Sequence, residues 1–149
     1  MVIIPKGLLE RLKKLLLEAY PYEGCGLLIG LKGMKTFEVR DCYPVANAWP
    51  KVEERRRRFA IDPKDFLLAE RVAESKGLSL IGVYHSHPDY PAEPSAFDAE
   101  YAWEGFVYLI FSLERETIND FKAFIWKEKK GFEEIKVCLK NGEGGEACL

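Results

Sequence analysis

A chain of 149 residues with 48% hydrophobic content is the size of one domain and can bury one sizeable core. Lys and Arg number 22 against 24 Asp and Glu, a formal net charge of −2, so the composition gives no global reason to expect nucleic acid or an anionic membrane as partner. No apolar run approaches the ~18–20 residues needed to cross a bilayer, and the opening Met1-Val2-Ile3-Ile4-Pro5-Lys6 lacks the regions of a signal peptide, so a cytoplasmic location is expected.

Residues 5–20 are predicted to form an amphipathic helix. Leu8, Leu12, Leu15, Leu16 and Ala19 recur at helical spacing, Lys13, Lys14 and Glu18 fall between them, and Pro21 ends the run. Residues 24–30 read as a buried strand and residues 36–42 as a second. Residues 43–58 are irregular, with Trp49 and the charged run Glu53-Glu54-Arg55-Arg56-Arg57-Arg58. Phe59-Ala60-Ile61 reads as a strand. Asp62 followed by Pro63 is an N-cap with proline at the first helical position, and that helix runs to about Ser75 with Gly77 as its C-terminal cap. A β-rich run, residues 78–84, leads into His85-Ser86-His87-Pro88. A proline-rich loop follows, and Ser95 opens a short helix that contains Asp98. Strands are predicted at 106–111, around the alternating Phe121, Ala123 and Ile125, and at 132–139. Trp103, Phe106 and Phe111 are read as core. Residues 141–149 are rich in Gly and Glu and are expected to be a flexible tail, which leaves the domain at 1–140. The order of elements predicts a single mixed α+β domain with a central sheet.

Cys25, Cys42, Cys138 and Cys148 show no CxxC spacing, so they make neither a disulfide framework nor a cysteine metal site; whether any pair forms is left open. The chemistry lies elsewhere. His85 and His87 are the two histidines of the chain, and in an extended segment residues two apart face the same way. After ten intervening residues, with Pro88, Pro91 and Pro94 stiffening the loop, Asp98 can supply a third ligand from a helix folded back over the strand end. Two imidazoles and a carboxylate suit zinc, with a fourth position left for water. Ser95-Ala96-Phe97-Asp98 also reads as a helix cap, and the two readings can coexist. Cys25 is read as a small buried hydrophobe, since there is no further histidine to activate it.

The set His85-Ser86-His87-Pro88, then Ser95-x-x-Asp98, with Glu23 upstream in Pro21-Tyr22-Glu23-Gly24-Cys25-Gly26, resembles the JAMM (MPN+) metallopeptidases from the first helix to about Leu113. Arg58-Phe59-Ala60-Ile61-Asp62-Pro63 and Pro94-Ser95-Ala96-Phe97-Asp98 resemble the small stand-alone prokaryotic members. The resemblance implies a curved central β-sheet flanked by helices, a cytidine-deaminase-like fold. It implies zinc as cofactor, with His85, His87 and Asp98 as ligands. Glu23 would be the general base towards zinc-bound water, and Ser95 an oxyanion donor. It implies a ubiquitin-like partner as substrate, cut after a C-terminal Gly-Gly. That partner is either a modifier joined to a target lysine or a C-terminally extended sulfur-carrier protein. A homodimer is left open. Two rival readings are a non-catalytic interaction module of the same fold, expected to have lost ligands, and a zinc hydrolase of a small molecule. The H-x-E with P-C-x-x-C pattern of zinc deaminases and the HExxH of helical metallopeptidases are both absent. The Arg55-to-Arg58 run is either a solvated face or a docking surface for an acidic stretch of substrate.

Overall fold

The computed structural model describes residues 1–142 and 145–149, and their backbone follows the apolar patterning closely. The elements run β1 (Val2–Pro5), α1 (Lys6–Ala19), β2 (Cys25–Lys32), β3 (Phe37–Val45), a 3₁₀ turn (Val52–Glu54), α2 (Pro63–Ser75), β4 (Ser79–Pro88), α3 (Ala96–Glu100), β5 (Val107–Glu114), β6 (Thr117–Lys127), β7 (Gly131–Ile135), β8 (Val137–Lys140) and β9 (Glu146–Cys148). The nine strands form one mixed sheet in the order β7-β6-β5-β4-β2-β3-β1-β8-β9. β4 runs parallel to β5, and β1 runs parallel to both β3 and β8. Lys136 alone separates β7 at one edge from β8 near the other, so the sheet must curl until its two sides approach. This is the curved central sheet of a single mixed α+β domain.

β2 and β4 lie mid-sheet, which explains their continuous apolar runs: residues 25–30 and 81–88 are buried. Alternate side chains enter two different cores. Leu28 and Tyr84 pack with Leu9, Leu12 and Leu16 of α1, whereas Leu27 and Val83 pack with Ala69 of α2. Helices therefore cover both faces. By the same alternation, His85 and His87 share the face of Val83, and Ser86 shares the face of Tyr84.

Four features differ from the sequence reading. Val2–Pro5 is a strand, too short for its alternation to register against the helix that follows. Phe59-Ala60-Ile61 is not a strand; Ala60 is held by Ala48 and by the side chain of Asn47. The predicted strand at 132–139 is two strands, because Phe132 to Ile135 pair with β6 while Val137 onward pairs with β1. Trp103 is 45% exposed and not core. Within the expected tail, β9 pairs with β8 and a disulfide joins Cys138 to Cys148; residues 143 and 144 lie outside the described residues.

Gly30 sits at the register shift between β2 and β3, and a Cβ there would run into the carbonyl oxygen of Glu38. Backbone cannot yield as a flexible side chain does. Gly30→Ala is expected to lower stability by about 1–3 kcal/mol, read as a shifted urea midpoint, with bound metal per folded molecule unchanged.

Candidate metal centre

The end of β4 supplies the first two groups. His85 and His87 are fully buried, between β2 at the Cys25 register and β5 at Ile110 and Ser112. His87 Nδ1 lies 2.7 Å from the Pro91 carbonyl. A carbonyl only accepts, so Nδ1 carries a proton and Nε2 is the nitrogen turned to the site. That Nε2 faces Asp98 Oδ2 at 3.1 Å. A proton on Nε2, or a cation held by both atoms, satisfies this pair.

Asp98 arrives on α3. The Ser95 hydroxyl accepts from the Asp98 N–H at 3.0 Å, and Asp98 Oδ2 accepts from the Ser95 N–H at 2.9 Å, a reciprocal capping box. Capping thus fixes the carboxylate that meets both histidines, with His85 Nε2 at 3.7 Å from Oδ1. The bond leaves the Ser95 hydroxyl hydrogen free to donate.

Glu23 is set from the other side. Its N–H donates to the Arg55 carbonyl at 2.7 Å, and its carbonyl accepts from Asn47 Nδ2 at 3.0 Å. The next N–H, of Gly24, donates to Ser86 Oγ at 2.9 Å. Gly24 is needed there, because a Cβ would lie 2.9 Å from both Ala19 and Leu16 of α1. Ser86, between the two histidines but on the opposite face, thereby pins the segment that carries Glu23. The Glu23 side chain is 1% exposed. Its Oε2 accepts from the Tyr90 hydroxyl at 2.6 Å, and its Oε1 lies 3.6 Å from His85 Nδ1.

Ligand-capable atoms of Glu23, His85, His87 and Asp98 lie within 4.8 Å of one another, and all four residues are buried. Among the described residues, Glu23 Oε1 and both ring nitrogens of His85 have no hydrogen-bond partner. Buried polar atoms are normally satisfied, so an unpartnered carboxylate oxygen beside an unpartnered imidazole fits a cation that these groups would hold. Electrostatics agree. Burial pushes the Asp98 carboxyl up, but the two histidines and the Ser95 N–H outweigh it and hold its pKa at about 2. Burial pulls the His85 pKa down, while Asp98 and Glu23 pull it up, and the net shift is upward. The His85 shift reports the carboxylates of Asp98 and Glu23 beside it, and the Asp98 shift reports the two imidazoles beside it. Burial pushes the Cys25 thiol up to about 12, so this neighbour of His85 stays protonated and inert.

A wall of aromatic and cationic groups surrounds the centre. Phe59 stacks on His85 at 4.6 Å and Tyr90 on His87 at 4.0 Å. Trp49 meets Phe97 edge-on at 5.0 Å, and the Arg58 guanidinium lies over both rings. A cleft of about 510 Å³ opens here, lined by Trp49, Phe59, Phe97, Tyr101 and Trp103 and floored by His85 and Asp98. Trp49 is therefore a cleft residue. Sequence reasoning brought together Glu23, His85, His87, Asp98 and Ser95, but it missed Asn47, Phe59, Ser86 and Tyr90. Only Tyr90 carried a usable signal, an aromatic residue three positions after a proposed ligand.

The family profile described as prokaryotic homologs of the JAB domain matches residues 5–126. A protein of Haloferax volcanii named desampylase is 40% identical over 110 residues, 72% of this chain and 76% of that one. A protein of Thermus thermophilus named probable TtuB-protein conjugate cleaving protease is 37% identical over 111 residues, 74% of this chain and 70% of that one. The solution structure of a protein from Desulfitobacterium hafniense is similar with a TM-score of 0.82 and 32% identity, covering 95% of this chain and 94% of that one.

Proposed function

The chain belongs to the prokaryotic JAB-domain family, a peptidase family of the JAMM type, and from that premise we propose that it is a zinc-dependent isopeptidase cutting the amide bond after the C-terminal Gly-Gly of a ubiquitin-like modifier. The observation that carries the reading is the convergence of Glu23, His85, His87 and Asp98 in a buried cluster open to a cleft. His85, His87 and Asp98 would hold zinc, whose nitrogen and oxygen preferences the set matches. When bound, the ion supplies Lewis acidity, making water a nucleophile near neutral pH and polarising the scissile carbonyl.

The chain's own groups do the rest. Glu23 Oε1, the carboxylate oxygen left free by Tyr90, takes the proton of the attacking water and returns it to the leaving amine. The Ser95 hydroxyl hydrogen donates to the developing oxyanion. The aromatic cleft excludes water and seats an extended segment; Gly-Gly suits it because a chain without Cβ atoms can pass close to Asp98 and His85. One relative is named for cleaving a protein conjugate, which supports a lysine-linked modifier over a sulfur-carrier extension.

The test is incubation of the zinc-loaded protein with a ubiquitin-like protein joined through Gly-Gly to a lysine, followed by mass spectrometry. A modifier ending in Gly-Gly and an unmodified lysine are expected, with activity lost to a chelator and restored by zinc. Intact conjugate in the presence of stoichiometric zinc would refute the reading.

The arginine run divides into two roles. Arg55 is structural, since its carbonyl receives the Glu23 N–H and its Nε donates to the Trp49 carbonyl. Arg56, Arg57 and Arg58 are exposed and make no salt bridge among the described residues. We propose that they attract an acidic stretch of the protein substrate. Replacing Arg56 with Ser is expected to raise KM for the conjugate and to flatten its salt dependence, while cleavage of a short Gly-Gly peptide stays near wild type. Equal losses on peptide and conjugate would show that Arg56 supports the site instead.

A further inference from the structure

Glu23 has two carboxylate oxygens in unlike surroundings. Oε2 takes a 2.6 Å hydrogen bond from the Tyr90 hydroxyl, whereas Oε1 has no partner among the described residues and faces His85. A glutamate side chain has three rotatable bonds, and a single backbone anchor cannot select among its rotamers. Here a second anchor does so, and it is itself held on every side. The Tyr90 ring stacks on His87 at 4.0 Å with 12° between planes. That fills one face, so the Arg57 guanidinium, 4.5 Å from the ring centroid, takes the other. The Tyr90 carbonyl accepts from Ser112 Oγ at 2.7 Å, on the strand beside His87. The phenol thus reaches Glu23 from a ring clamped to one proposed ligand and from a backbone tied to β5.

We infer that Tyr90 is a positioning residue for the general base: its hydroxyl anchors one oxygen of Glu23 so that the other is presented to the reacting water. The inference rests on the proposal that Glu23 is the base. It also gives the loop between His87 and Asp98 a role beyond spacing the two, because the same loop that delivers Asp98 aligns Glu23. Arg57, part of the proposed docking run, braces the ring and joins the substrate surface to the base.

Tyr90→Phe tests this, since it keeps the ring stacked on His87 and removes only the hydroxyl. We expect kcat to fall roughly tenfold to a hundredfold, the scale of a lost hydrogen bond to a charged group. KM, zinc content and melting temperature should stay at wild-type values. Two further readouts separate positioning from general damage. In the crystal structure of Tyr90→Phe, Glu23 should leave its single rotamer; and in a Glu23→Gln background, adding Tyr90→Phe should cost no further activity, because the two residues act as one unit. Wild-type kcat, a rise in KM alone, an unmoved Glu23, or the full loss repeated in the Glu23→Gln background would each overturn the inference. Its failure is distinguishable from failure of the underlying reading: an active Glu23→Gln removes the base assignment itself, whereas an inactive Glu23→Gln with a fully active Tyr90→Phe removes only the role of Tyr90.

Discussion

Glu23→Gln is expected to reduce turnover by roughly 10²-fold or more while zinc content and melting temperature remain near wild type. The amide has the shape of the carboxylate, and the backbone anchors of this segment, from Arg55, Asn47 and Ser86, do not involve the side chain. Tyr90 makes the outcome sharper than the isosteric argument alone. Its hydroxyl donates to Oε2, so in the variant the amide oxygen is drawn to that position and the NH2 is turned towards His85. A proton acceptor is thereby replaced by a donor at the one place where an acceptor is needed. The zinc ligands proposed here are other residues, so the metal should stay. Turnover of a Gly-Gly-linked conjugate, metal analysis and a thermal melt measure the three quantities on one preparation. A variant that turns over near the wild-type rate would mean that the water loses its proton elsewhere.

Much of this architecture is legible in the sequence, for reasons that differ between elements. α1 and α2 announce themselves through apolar period and through Asp62-Pro63, where the side chain of Asp62 does accept from the Lys64 N–H. β2 and β4 read as apolar runs because both of their faces are covered. What resists reading is pairing. Residues 132–139 form one β-rich stretch, yet its first half belongs to β6 and its second to β1, and only closure of the curled sheet decides where it breaks. Phe59-Ala60-Ile61 has strand chemistry but no neighbouring strand to bond with. Its polar backbone is satisfied by Asn47, whose amide also holds the carbonyls of Glu23 and Arg58.

The candidate site divides the same way. Groups that must be particular residue types at a fixed spacing, such as His85, His87 and the Ser95–Asp98 pair, leave a local pattern. Groups that act by holding those residues leave none. Asn47 lies 24 residues from Glu23 and Tyr90 lies 67 from it. Trp103 shows the opposite failure: an aromatic amid apolar neighbours reads as core, but it packs at a tilt against Phe66 and Phe106 and lines the cleft.

His87→Ala is expected to bring bound zinc to background and to abolish hydrolysis, a larger loss than removal of the base. His87 is the most constrained of the four groups. Its Nδ1 is fixed by Pro91, its ring by Tyr90, and its Nε2 points at Asp98 from 3.1 Å. Truncation removes a ligand whose direction is already set, and two protein ligands rarely retain zinc. It also withdraws part of what keeps the Asp98 carboxyl at about 2, leaving a buried carboxylate facing His85 alone, so the apoprotein should be less stable as well. Metal-linked stability separates these effects. Zinc held by the folded wild type should raise its melting temperature by mass action, whereas the variant should melt at the same temperature with and without zinc. Cys25→Ser is the matched control: Cys25 pairs with His85 across β2 and β4, but its thiol is held protonated by burial, so zinc content should not change. Stoichiometric zinc retained by His87→Ala, or lost from Cys25→Ser, would show that the ion is held by a different set of atoms.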